Sequence, residues 1–155
     1  MTQEVSKPSL IFVWSQQAEA ELHSLLDGAD PLGNLTLSGT SWSQEILDLA
    51  VEKLLDGHLD HLQANDCCFI DDSLATRILD HVKATGGHRR FSIFGLQGVE
   101  WEDLKEGLKN FKVLESEDGD YEKEFTFELP EAGGKLRVSS LYVGEDFDYL
   151  SFEVL

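Results

Sequence analysis

Basic residues are scarce in this chain. Its 155 residues hold 12 lysines and arginines against 30 aspartates and glutamates, a formal charge of −18 with histidine neutral. That shortage excludes a phosphate-backbone reader, which needs clustered Lys and Arg. It also disfavours an anionic membrane surface. The one basic cluster is His88-Arg89-Arg90. Such an imbalance suits a basic partner or a cation. It also keeps a protein soluble, at some cost in self-repulsion.

Cysteine is almost absent, and its two copies, Cys67 and Cys68, are adjacent. Neighbours in a strand point to opposite faces, so a bond between them needs a strained turn. The spaced framework of a secreted disulfide scaffold and the C-x-x-C motif are both missing. Two reduced thiols are expected. Cysteine catalysis needs a base and an electropositive setting, which an acidic chain supplies poorly. No apolar run approaches the roughly 20 residues of a membrane span. Residues 1–9 are polar, with Glu4 and Lys7, unlike a signal peptide. A cytoplasmic location is expected. No nucleophile elbow, Walker loop or dinucleotide fingerprint is found, and no internal repeat is expected. Gly95-Leu96-Gln97-Gly98 has too few glycines to cradle a phosphate by itself.

What is present argues for a folded globule. Hydrophobic residues make up 41% and aromatics 10%, enough for a substantial core in one domain spanning 1–155. Residues 10–14 form a short apolar run that reads as a buried strand. Ser15 can cap a helix carrying Ala18, Leu22, Leu25 and Leu26, with Gly28 as a left-handed terminator. Residues 34–38 suggest a short strand. Ser41 and Gln44 match a capping box before Ile46, Leu47, Ala50, Val51, Leu54 and Leu55, with Leu59 and Leu62 as a last bent turn. Residues 67–70 read as a strand, and Asp71-Asp72-Ser73 opens the next helix, where carboxylates meet unpaired N–H groups. A strand over 91–96 and a helix carrying Trp101, Leu104, Leu108 and Phe111 follow. A brief strand at 112–114 and an acidic linker over 115–120 lead to the closing segment.

That closing segment alternates with period two. Tyr121, Lys123, Phe125, Phe127 and Leu129 fall on one side, and Glu122, Glu124, Thr126 and Glu128 on the other. Breaks at 130–134 and 144–146 separate three strands joined by short loops, hence antiparallel neighbours. The expected fold is α+β: strands and helices alternate over the first two-thirds, then a three-stranded antiparallel meander closes one mixed sheet.

Three constellations invite chemistry. His58 and His61 would share a face if helical, with Asp60 behind them, and so offer a metal pair. Asp66, Asp71 and Asp72 flank a strand, where carboxylates can hold a metal for hydrolysis, although helix capping explains Asp71 and Asp72 more simply. The run Glu115 to Asp120 lacks the ligand spacing of an EF-hand. No cofactor is expected.

The remaining signal is a surface. Glu122, Glu124 and Glu128, with Asp146 and Asp148 nearby, gather negative charge, and Tyr142 and Tyr149 offer anchors. Trp42 and Trp101 are further aromatic candidates. These residues point to a small acidic protein that inhibits a basic partner protein. A bacterial immunity protein against a toxin or nuclease is its concrete form. The competing expectations are a metal-dependent hydrolase, a nucleic-acid mimic, and a structural adaptor.

Overall fold

A computed structural model describes residues 7–28, 30–66, 69–87, 89–130, 134–142 and 148–155. Cys67, Cys68, His88, Asp146 and the centres of both closing turns lie outside them. The chain divides into two compact units, residues 1–67 and 68–155.

The first unit is β1 (Ser9–Val13), α1 (Gln16–Asp27), β2 (Leu32–Ser38), α2 (Gln44–Asp56) and β3 (Leu59–Ala64). The three strands are parallel neighbours in chain order. Ser15 caps α1 as expected, its hydroxyl accepting from Ala18 N–H at 2.9 Å. Ser43, not Ser41, caps α2, accepting from Ile46 N–H. Gly28 is extended (φ −70°) instead of left-handed. Gly57 takes that role at φ 96° and stops α2. Leu59 and Leu62 therefore open a strand; they do not prolong the helix.

Within this unit the apolar positions of neighbouring strands correspond. Leu32-x-x-Leu35-x-Leu37 returns 27 positions on as Leu59-x-x-Leu62-x-Ala64, and the two copies pair without offset. Leu10 and Phe12 stand 25 positions before Leu35 and Leu37 in the same rows. The leucines lie on the buried face together with Leu22, Leu26, Ala50 and Leu54. Ile11 and Val13 occupy the opposite face, 76% and 70% exposed.

The second unit is β4 (Phe69–Asp71), α3 (Asp72–Thr85), β5 (Phe91–Gly98), α4 (Trp101–Gly107), β6 (Lys112–Asp118), β7 (Glu122–Glu128), β8 (Lys135–Tyr142) and β9 (Asp148–Val154). Its strands run β4-β5-β9-β8-β7-β6. β4 and β5 are parallel, and every later pairing is antiparallel. The α+β class and the closing antiparallel strands are as expected. The segment 115–120, expected as a linker, is mostly strand: β6 adds a fourth member to the meander and ends it at an edge. α4 stops at Gly107, short of Leu108 and Phe111, which lie beyond it.

The core of this unit follows from the period of two. Phe127, Leu136, Val138, Leu150, Phe152, Val154, Phe91 and Ile93 are buried on one face of the sheet. Phe152 pairs with Val138 on one side and Ile93 on the other, and is fully buried. Trp101 of α4 packs on the same face, its ring 5.6 Å from that of Phe125.

Candidate protein-interaction surface

The opposite face of β6 to β9 is where Glu122, Glu124 and Glu128 meet, whereas Asp148, also expected there, pairs with Tyr142 on the other face. In the ladder, Glu115 stands beside Thr126, Glu117 beside Glu124, Glu122 beside Leu141, and Glu128 beside Lys135. Arg137 in turn stands beside Glu153. Directly paired residues point to the same side, so Glu115, Glu117, Glu122, Glu124, Glu128 and Glu153 share one face. A bulge between Val113 and Glu115 sets this arrangement, because it shifts the register of β6 by one residue and turns Glu115 and Glu117 onto the face of Glu124.

The charges are partly offset. Arg137 lies between two carboxylates, its Nε 3.3 Å from Glu124 and its Nη1 3.1 Å from Glu153. Its Nε is buried with no well-directed hydrogen bond. The contact to Glu124 is therefore an ion pair by proximity, whereas the Nη1 donates a true hydrogen bond to Glu153. Lys112 is 3.5 Å from Glu128. Glu115, Glu117 and Glu122 are exposed and make no ion pair among the described residues. The expected patch is thus split: neutralised in its middle by Arg137, and open towards the β6–β7 turn.

The aromatic candidates separate as well. Tyr149 is half-buried on the acidic face, stacked on Phe94 with centroids 4.9 Å apart and planes 16° from parallel. Leu141 is beside it in the ladder and 41% exposed. Tyr142 belongs to the other face. It is paired across the strands with Asp148, and its ring is 6.1 Å from that of Tyr121. Tyr121, expected inside, is 71% exposed. Trp42 is buried and donates its indole N–H to Ser38 O. Trp101 is buried beneath Lys123. Neither tryptophan is available as an anchor. Sequence reading missed Phe94 and Leu141; their alternation with buried Ile93 and Ser140 is the signal that marks them.

The metal constellations do not assemble. The break at Gly57 leaves His58 in the loop and puts His61 on β3, so they share no helix face. Asp71 caps α3, its carboxylate accepting from Leu74 N–H at 2.8 Å, and Asp72 is the first helical residue. Among the described residues no group of three or more His, Cys, Asp or Glu side chains could hold a metal ion. Also among them, no helix is long and apolar enough to cross a membrane. No family model, curated protein or solved structure matches the chain.

Proposed function

We propose that this chain binds and occludes a basic protein through the open face of β6 to β9. The observation that supports this is the set Glu115, Glu117 and Glu122, exposed carboxylates gathered on one face that make no ion pair among the described residues. Like charges set together on a strand face cost stability, so a protein that keeps them gains where a cationic surface meets them. They steer a basic partner and set its register. The Phe94–Tyr149 stack and Leu141 supply the apolar anchor that charge alone does not. The carboxylates stand where substrate phosphates would on the partner. The concrete form is therefore an immunity-type inhibitor of a nuclease or other toxin, acting in the cytoplasm.

The test is cross-linking in extracts of the source cells, with captured proteins identified by mass. The wild-type chain retains a strongly basic protein, adding the chain abolishes that protein's activity, and Glu115→Lys/Glu117→Lys/Glu122→Lys does not retain it. Equal capture by both forms refutes the reading.

A further inference from the structure

The opposite end of the same sheet has the reverse character. A cavity of about 560 Å³ lies between the end of α3, the segment after α4 and the exit of β7. It is lined by Lys83, Asn110, Phe111, Lys112, Glu128, Leu129 and Pro130. Its size falls in the range that holds a small organic ligand. In a chain this poor in lysine, two of the eight converge here. Lys112 is shared with Glu128, at 3.5 Å. Lys83 lies over the Phe111 ring, 5.7 Å from its centroid, and makes no ion pair among the described residues. Phe111 continues into the core through Phe127, whose ring is 6.0 Å away. Leu129 is held against Gly87, where an added Cβ would come within 2.5 Å of Leu129 Cδ1.

The geometry points to a binding site for a small amphiphilic anion: an aromatic or aliphatic body carrying one carboxylate or sulfonate. The body lies on Phe111, Leu129 and Pro130, and the anion meets Lys83 and Lys112. A cation held over a ring face remains free to pair with an anion beyond the ring edge. Asn110 adds an amide donor. A dication is disfavoured by the two lysines, and a neutral ligand would gain no charge contact from the exposed Lys83. Glu128 belongs both to this cavity and to the acidic face, but six strand steps of about 3.3 Å along β7 put Glu122, at the open end of that face, some 20 Å away.

The full chain is titrated with anilinonaphthalene sulfonate, with the uncharged phenylnaphthylamine as comparator. The sulfonate binds with one-to-one stoichiometry and rising fluorescence, and shifts the amide resonances of Asn110, Phe111 and Lys112. Lys83→Glu weakens it about fivefold or more, as reversal of one exposed charge contact allows. Lys83→Arg restores it, and Lys7→Glu in the first unit leaves it unchanged. No saturable binding, equal affinity for the neutral comparator, or undiminished binding to a folded Lys83→Glu chain overturns the assignment.

Discussion

Glu117 and Glu124 stand directly opposite each other across the β6–β7 pair, two carboxylates on one side of the sheet. Arg137 answers only the inner one, 3.3 Å from Glu124. Directly opposed like charges weaken a sheet. Glu117→Lys replaces repulsion by attraction and should raise stability by about 0.5 kcal/mol, read as a higher urea midpoint at unchanged slope. The same substitution should weaken the basic partner. A variant that is more stable and binds less well is the outcome expected of a functional carboxylate.

Removing the cation has the contrary effect. Arg137→Met leaves Glu124 and Glu153 without their shared partner, all three side chains being between 31% and 42% exposed. Solvent screens the loss, so the cost is about 1 kcal/mol. It should shrink as salt is added, which chemical denaturation at low and high ionic strength will show.

Core truncation separates the buried centre of the sheet from its exposed edge. Phe152→Ala empties a fully buried site between Val138 and Ile93, and should cost about 3–5 kcal/mol. Val113→Ala on the edge strand, where Val113 is 49% exposed, should change stability by less than about 0.5 kcal/mol. Thermal melts of the two variants make the comparison.

Asp71 distinguishes capping from catalysis. Asp71→Ala removes the acceptor for Leu74 N–H and should cost about 1 kcal/mol. Asp71→Asn keeps an acceptor oxygen and should cost much less. A hydrolytic carboxylate would instead leave Asp71→Asn as inactive as Asp71→Ala, because Asn preserves the cap and destroys the charge.

Lys109 reports one local field. The hydrogen bond and charge of Glu106, 2.6 Å away, hold its ammonium above the ordinary lysine value. A raised lysine value stabilises the fold below the unfolded value and loses that contribution as pH rises through the folded one. Glu106→Gln should lower the Lys109 titration midpoint, followed by side-chain nitrogen resonances at alkaline pH.

Much of the fold was legible because period and capping chemistry are local. Ser15, Asp71 and the alternation from Lys123 to Leu129 could be read directly. What failed were choices between equally local signals. Leu59 and Leu62 fit a helical spacing as well as a strand, and only the left-handed Gly57 decides between them. Glu115 to Asp118 has the composition of a linker, and becomes a strand because β7 offers it a ladder. The carboxylate face was legible as far as Glu122, Glu124 and Glu128. The share neutralised by Arg137, and the additions of Glu115, Glu117, Phe94 and Leu141, depend on register across strands, which no single segment encodes. The strand over 34–38 was expected, but its match with β3 escaped because the copies differ at Leu37 and Ala64 and are separated by a whole helix.

The most direct measurement is capture of basic proteins from source-cell extract by the wild-type chain and by Glu115→Lys/Glu117→Lys/Glu122→Lys, each first shown to be folded. The account predicts a specific basic protein held by the wild type, released by salt, and missing from the variant. The same protein held equally by both would contradict it, as would a wild-type chain that holds none.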